Sequence, residues 1–376
     1  MSRIRDIANI LSGGSSAIAT DAEITSAVSA QFVAGKNKII NGDFAINQRG
    51  FTSLTGSGSG QYGFDRWKIE SGGDGSVTYT PQTFTIGTAP VTGYEAANFA
   101  RVVVASQTSA GAYSIFAQGI EDVRTFANQT VTVSFWAKAA SGTPKVAAEF
   151  VQVFGSGGSP SSNVNTYAGQ ATLTTSWARY TITANVPSIA GKTIGTTTNT
   201  STIALLLWTS AGSTYNSRTG SIGIQNSTID IWGVQVEVGS TATNFSLATG
   251  TFATELAACQ RYYQTSFDLG QTPAHNGSYY GEMTLSCVNG GFNTNSYGAI
   301  LFPTKMRTAP TVNIWNTRNA SVSGNSARFY NSGTAYDTSS IDMGITTSSS
   351  HGMTFKGANI GASAIVFFGY SASAEL

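Results

Sequence analysis

The sequence has few cysteines, histidines and charged residues, and it has no long hydrophobic run. Among 376 residues there are two cysteines and two histidines, and Asp, Glu, Lys and Arg together make up 10%. This argues against a disulfide framework or a zinc site, and we expect free thiols after synthesis in a reducing cytoplasm. The net charge of +1 gives no electrostatic footprint for nucleic acid or an anionic membrane. No apolar run is long enough to insert into a bilayer, and the first residues lack the apolar core of a secretory signal.

Glycine, serine, threonine and phenylalanine are abundant, which favours a turn-rich β protein. Short alternating runs separated by glycine- and serine-rich segments are typical of a two-sheet sandwich or jelly roll. In the first part of the chain these runs are Arg101–Ala105, Val131–Ala137, Val146–Phe154, Tyr180–Val186, Ile203–Thr209 and Ile229–Val238. In the last part they lie near Glu282–Val288, Tyr297–Phe302, Thr311–Trp315, Ser326–Tyr330, Met353–Phe355 and Ile365–Tyr370. We therefore predict a mainly β fold with two successive β domains.

The chain is organised around the segment from Ile229 to Tyr263. Its first half alternates apolar and polar residues, and Gly233 breaks the phase, which favours a strand with a bulge at that glycine. Its second half has apolar residues at helical spacing, and Thr251 or Thr254 is placed to cap the start of a helix. We therefore predict a strand that closes one β domain and a linker helix that opens the next.

Residues 1–36 form a leader with helical patterning. Ile4, Ile7 and Leu11 make an apolar stripe, and a second helix is predicted from the capping-box pattern of Thr20 and Glu23. Helices this short are not stable alone in water, so they are expected to dock on a partner. A frayed tail is the alternative reading of the same residues.

Three stretches resemble bacteriophage tail-fibre and related virion proteins. They are WGVQVEVGSTATNF with ELAACQRYYQ at the junction, NKIINGDFAINQRG at 37–50, and FPTKMRTAPTV at 302–312 with SASAEL at 371–376. The resemblance implies a jelly roll like a carbohydrate-binding module at 37–248, and a linker helix with a distal β head domain at 249–376. It also implies a homotrimer whose leader, residues 1–36, attaches to other tail or capsid subunits.

The function expected from this resemblance is a virion fibre that binds a host-cell-surface glycan without catalysis. Assembly would take place in the host cytoplasm. A purely structural head fibre, decoration protein or tail adaptor is the first alternative. A polysaccharide-cleaving tailspike is the second, and it would need two carboxylates flanking a sugar bond. Asp65, Glu70, Asp74, Glu121, Asp122 and Glu149 are the sandwich carboxylates available. No β-helical repeat or nucleophile elbow accompanies them.

Sugar binding uses exposed aromatic rings beside amides and carboxylates, so tryptophans and tyrosines near loops are the candidate ligand contacts. Core packing is the alternative for every one of them, because aromatic residues supply much of the burial in a sandwich. Trp208, which leads into a loop, is the best exposed platform that the sequence offers in the first domain. The candidate contacts are Trp208, Tyr215, Tyr279, Tyr280, Asn293, Asn295 and Trp315. For Trp315, a trimer interface is a further alternative.

No cofactor is expected, but the resemblance allows a structural calcium between the first and last strands of the jelly roll. Asp43 and Asp230 are the carboxylates at those places. Calcium needs several further oxygen ligands, including backbone carbonyls that a sequence does not reveal. A capped turn at Asn41-Gly42-Asp43 explains Asp43 equally well.

Overall fold

The structure is a computed structural model of the chain. It describes residues 35–56, 58, 60–91, 94–287, 296–331, 334–337, 343–357 and 364–376. The predicted leader stripe of Ile4, Ile7 and Leu11 lies outside the described residues. Within the described residues no helix is both long and apolar enough to cross a membrane.

Two six-stranded sheets pack face to face and form the first β unit, a jelly-roll-type sandwich as predicted. In sheet order, sheet 1 consists of β1 (Leu54–Thr55), β4 (Ser76–Thr83), β5 (Asn98–Ala105), β12 (Thr228–Val238), β7 (Thr130–Ala139) and β10 (Ala178–Asn185). Sheet 2 consists of β2 (Gln61–Tyr62), β3 (Lys68–Gly72), β6 (Tyr113–Glu121), β11 (Thr202–Ala211), β8 (Lys145–Val153) and β9 (Val164–Thr172). All six runs predicted for this unit are strands.

The sandwich core lies between the two sheets and is rich in aromatic rings. Because successive residues of a strand face opposite sides, every second side chain of each central strand enters the core. Trp67 stacks on Phe116 with ring centroids 4.5 Å apart, and its indole N–H donates to the Asn41 carbonyl oxygen (2.9 Å). These contacts fix the 37–50 stretch against sheet 2.

The outer face of sheet 2 carries a second apolar cluster that includes Trp208, Leu206 and Ile222. The segment between β11 and β12 folds back over one end of this face. It contains a short 3₁₀ turn (Ser213–Tyr215) and helix α1 (Asn216–Thr219). One end of the face is therefore covered by this segment.

The junction between the two β units has the predicted form. The pairing of β12 with β7 shifts register between Trp232 and Gln235, and Gly233 has φ +63°, so a bulge is present at this glycine. Helix α2 (Phe252–Gln260) begins at Thr251, whose hydroxyl accepts from the Thr254 backbone N–H in a capping box. Cys259 on α2 is a buried free cysteine.

The C-terminal unit contains the strands that follow α2. One sheet consists of β13 (Tyr263–Thr265), β14 (Met283–Cys287), β16 (Thr311–Trp315), β17 (Arg328–Asn331), β18 (Thr334–Asp337) and β21 (Ala364–Ser373). A smaller sheet consists of β15 (Ser296–Leu301), β20 (Gly352–Gly357) and β19 (Met343–Ser349). The long strand β21 pairs with β13, β14, β16 and β17, so it organises the unit. All six runs predicted here overlap observed strands.

Candidate functional site

A cleft of about 500 Å³ lies on the outer face of sheet 2, and we call it the sheet-2 cleft. Its floor consists of small or aliphatic side chains and one hydroxyl: Ala117, Gly119, Val151, Val153, Thr202, Ala204 and Leu206. Around them stand mostly polar and charged residues: Lys68, Glu70, Asn163, Thr200, Arg218, Arg307, Glu375 and Leu376. Among these lining residues, all in the described part of the chain, there is no aromatic ring.

The first wall of the sheet-2 cleft is the covering segment 213–219, and it corrects the prediction for Trp208. The indole is fully buried, because Tyr215 packs on it at 5.2 Å and the Arg218 guanidinium lies 4.8 Å from the ring centroid. Its N–H donates to Glu149 Oε2 (2.9 Å), and Arg218 binds both oxygens of the same carboxylate at 2.7 and 2.9 Å. The expectation of an exposed Trp208 platform was wrong: the residue faces away from the sandwich core, but the following loop closes over it.

The second wall comes from the other end of the chain. The hydroxyl of Tyr62 donates to the Leu376 carbonyl oxygen (2.6 Å), and the Leu376 side chain lies over Gly119. Arg307 donates to the carbonyl oxygens of Ala374 and Glu375, both at 2.9 Å. The sheet-2 cleft is therefore built by both β units.

The Glu375 carboxylate joins the two units through two arginines of the sandwich. Arg49 lies 3.0 Å from one carboxylate oxygen, and Arg66, which is 1% exposed in its side chain, binds the other. The Arg66 guanidinium also donates to the Gly119 carbonyl (2.5 Å) and stacks on Tyr262 at 3.4 Å from the ring centroid. We call Arg49, Arg66, Tyr262 and Glu375 the inter-unit clamp.

Burial at this clamp shifts nearby pKa values. It raises the pKa of the Asp65 carboxyl to about 6, although Arg49 and hydrogen bonds from Gln48 favour the charged form. It also raises the pKa of the Tyr262 hydroxyl to about 12. For Glu121, burial acts in the same upward direction, but hydrogen bonds from the Arg261 guanidinium, at 2.8 and 3.0 Å, and from the Tyr262 hydroxyl together outweigh it and lower the pKa.

The carboxylates of the sheet-2 cleft are engaged in ion pairs. Glu70 pairs with Lys68 on the same strand, and Glu375 belongs to the inter-unit clamp. Glu149, close by under Trp208, is held by Arg218. A glycosidase needs one carboxyl group free to donate a proton and a second free to act as base or nucleophile. In the described part of the chain, Glu70, Glu149 and Glu375 each have a cationic partner.

Three predicted contacts of the C-terminal unit, Tyr279, Tyr280 and Trp315, lie close together in the fold. Trp315 ends β16, while Tyr279 and Tyr280 lie on a loop attached beside it. The Asn276 N–H donates to the Asn316 carbonyl (3.0 Å), and the Tyr279 N–H donates to the Thr317 carbonyl (3.1 Å).

The two tyrosines are 58% and 53% exposed, and Trp315 is half-buried. Asn293 and Asn295 lie outside the described residues. The remaining two predicted contacts, Trp208 and Tyr215, pack on each other in the sandwich.

The two carboxylates considered for calcium have other partners. Asp230 receives two hydrogen bonds from Arg101, at 2.7 and 2.9 Å, and lies 3.7 Å from Lys138. Asp43 accepts from the Tyr94 hydroxyl (2.9 Å) and the Ala45 N–H (3.4 Å). No group of three or more His, Cys, Asp or Glu side chains suited to a metal occurs among the described residues. The calcium site stays an untested prediction.

No protein-family model and no curated protein sequence matches the chain. Among solved structures it is similar to the enzymatically active domain of bacteriophage CBA120 tailspike protein 4, with 14% identity and a TM-score of 0.32 over 54% of this chain and 22% of that one. It is also similar to the family 11 carbohydrate-binding module from Clostridium thermocellum (9% identity, 51% and 98% covered, TM-score 0.29). A third similar structure is the CBM22-1 xylan-binding domain from Paenibacillus barcinonensis Xyn10C. It shares 12% identity and has a TM-score of 0.29 over 56% of this chain and 100% of that one. These similarities are too low to carry an argument about ligand or activity.

The residues of the sheet-2 cleft were missed at the sequence level. One signal was available: Ala117 and Gly119 on β6 and Ala204 on β11 are small residues at alternate positions, a pattern that leaves space above a sheet. No local signal links Glu375 or Leu376 to this face, because the contact joins residues about 250 or more positions apart.

Proposed function

We propose that this chain is a non-catalytic fibre protein of a bacteriophage virion that binds a host-cell-surface glycan in the sheet-2 cleft. The observation that carries the proposal is the combination of an apolar floor with a hydrogen-bonding rim. A sugar ring presents C–H groups on its faces and hydroxyls on its edge, so it fits a floor such as Ala204 and Leu206 between polar side chains. Carbohydrate-binding modules and a tailspike domain are among the similar structures, but the proposal depends on the cleft.

The proposal extends to the assembly. Low charge and many β edges favour a closed oligomer, and we propose a homotrimer. Residues 1–36 would attach it to other tail or capsid subunits, with Ile4, Ile7 and Leu11 as the docking stripe. The particle would assemble in the host cytoplasm. Deleting residues 1–35 is expected to leave a folded β protein that no longer enters virions. Light scattering should give three times the chain mass.

The test of binding is to fill the sheet-2 cleft. Ala204→Arg places a long charged side chain on the floor of the cleft. Thr181→Arg is the matched control, because Thr181 is an exposed residue on the opposite sheet. Binding to a glycan array, and competition with phage for host cells, should be strongly weakened in the first variant and kept in the second. Equal binding by both variants would place recognition elsewhere, and loss of viscosity in a polysaccharide solution would reveal an enzyme.

A purely structural role is the second candidate, and the inter-unit clamp is the observation that favours it. Two arginines share one carboxylate, the buried Arg66 and the partly buried Arg49, and they fix the C-terminal unit on the sandwich, as a rigid shaft or adaptor would require. In that case the full chain binds no array glycan and does not compete with phage for cells, but particles without it fail to assemble.

A further inference from the structure

A second cleft lies in the C-terminal unit beside Trp315. Its volume is about 520 Å³, and its lining residues are His275, Asn313, Ile314, Trp315, Val322, Ser323, Gly324 and Asn325. It shares no lining residue with the sheet-2 cleft. We call it the Trp315 cleft.

The aromatic groups of the Trp315 cleft are held in fixed orientations. The Trp315 indole N–H donates to Ser371 Oγ on β21 (3.1 Å). The His275 ring meets the indole edge-on, with centroids 5.3 Å apart and an interplanar angle of 65°. A half-buried ring that is already oriented loses little conformational freedom when a ligand stacks on it.

The polar groups of the cleft have defined hydrogen-bonding roles. His275 Nδ1 accepts from the Asn316 N–H (2.9 Å), so the proton of the neutral ring is on Nε2, which is left as a donor. Asn325 Oδ1 accepts from the Ile314 N–H (2.8 Å), which leaves its NH₂ group as a donor. Asn313 and Ser323 are exposed and supply both donors and acceptors.

The Trp315 cleft differs from the sheet-2 cleft in charge. Lysine, arginine and carboxylates line the sheet-2 cleft, whereas no Lys, Arg, Asp or Glu is among the described residues that line the Trp315 cleft. A charged ligand would lose hydration there without gaining an opposite charge. A ligand with an apolar face and several neutral hydroxyls would match the ring, the amides and the imidazole.

From these observations we infer that the Trp315 cleft is a separate binding site for a neutral pyranose sugar, which stacks on the Trp315 indole. The sheet-2 cleft would then bind one part of a glycan, or one receptor. The Trp315 cleft would bind another part of that glycan, or a second receptor. Two linked sites raise the overall affinity when both are occupied together, which compensates for weak single contacts.

The experiment uses the full chain and simple probes. Methyl glycosides of glucose, galactose and mannose, and N-acetylglucosamine, are titrated and followed by tryptophan fluorescence and saturation-transfer NMR. Glucuronic acid and glucosamine serve as charged counterparts. Saturable binding of at least one neutral probe, roughly tenfold tighter than its charged counterpart, is the expected result.

Three variants assign that binding to the cleft. Ser323→Arg fills the cleft from an exposed loop position, whereas Ser321→Arg changes an exposed residue of the same loop that does not line it. Binding should be lost in the first and kept in the second. The Ala204→Arg variant should also keep binding of the neutral probe. The experiment therefore distinguishes a wrong assignment of the Trp315 cleft from a wrong assignment of the sheet-2 cleft.

Three results would overturn the inference. The first is the absence of saturable binding by every neutral probe, and the second is unchanged binding in Ser323→Arg. If Ser323→Arg instead lowers the oligomer mass and no probe reaches the indole, Trp315 belongs to an interface between copies, which also overturns it.

Discussion

Glu149 is a fully buried carboxylate whose partners are an indole and a guanidinium. Its side chain is fully buried, and its two oxygens accept from Trp208 and from both ends of the Arg218 fork. Replacing one member of such a pair leaves the other charge without a partner.

Glu149→Gln should therefore lower the free energy of unfolding by about 3 kcal/mol, because Arg218 is partly buried and loses its ionic partner. The matched change is Glu70→Gln, which breaks the more exposed ion pair with Lys68. It should lower the free energy of unfolding by about 0–1 kcal/mol. Urea unfolding of both variants measures the difference. Equal losses in the two variants would contradict the assigned role of Glu149.

Asp65 gives a prediction for pH. Its pKa of about 6 lies above the ordinary value of 3.8, so the folded state binds this proton more tightly than the unfolded state. Its contribution to stability is therefore present at low pH and is lost as the pH rises through about 6. Asp65→Asn removes the titration. The stability of the variant relative to the wild type should accordingly increase between about pH 4 and pH 7, measured by urea unfolding. A difference that does not change with pH would contradict the assignment.

For single residues, the sequence shows which side chains are available for a site, but it does not predict what surrounds each of them in the fold. Trp208 and Trp315 both stand at or near strand ends, but Trp208 is covered by segment 213–219 and Trp315 is open to a cleft. Asp230 has the position expected of a calcium ligand, yet Arg101 on the neighbouring strand neutralises it. The cover of Trp208 comes from the loop that follows it, whose path the sequence does not reveal, and Arg101 lies 129 positions from Asp230.

Among the elements, β12 shows what a single glycine determines. Gly233 adopts a positive φ, and a Cβ there would lie 2.9 Å from the Trp136 ring. The bulge shifts the register with β7, and the chain then continues to α2.

Gly233→Ala should lower the free energy of unfolding by roughly 1–3 kcal/mol, because alanine is strained at this φ and meets the indole. Gly111→Ala is the control, since Gly111 has no positive φ and no atom within 4 Å of the added Cβ. Its effect should stay within about 0.5 kcal/mol. Thermal and urea unfolding of both variants compare them, and a neutral Gly233→Ala would show that the bulge is relaxed.

Exposure of one face did not decide which strands were predicted. The run Val131–Ala137 of β7 alternates between apolar and polar residues and was predicted, although Thr132 and Ser134 are as fully buried as Val131 and Val133. Strand β6 was missed, and its sequence, YSIFAQGIE, is irregular in polarity. Both of its faces are largely buried, one by the sandwich core and the other partly by residues such as Tyr215 and Leu376. Alternation therefore identifies a strand without telling which of its faces meets water.

For the whole molecule, the clearest structural feature is the attachment of the two units to each other. The QRYYQ stretch, noticed for its resemblance, supplies contacts on both sides: Arg261 binds Glu121, Tyr262 stacks on Arg66, and Tyr263 stacks on Arg49 at 3.8 Å. The resemblance pointed to this segment, but the partners on the sandwich could not be predicted from spacing.

Glu375→Ala tests whether the inter-unit clamp couples the two units. It leaves Arg66 buried without its carboxylate, a loss of about 3–5 kcal/mol. The wild type should unfold in one transition, and the variant in two, with faster proteolysis near residues 261–264. Because Glu375 also walls the sheet-2 cleft, glycan binding there should weaken, whereas binding in the Trp315 cleft should be unaffected.

Glu282→Ala is the control, because it breaks an Arg–Glu pair with Arg318 inside the C-terminal unit and should keep a single transition. A single, unshifted transition in Glu375→Ala would mean that the units are held by their apolar contacts and not by this carboxylate.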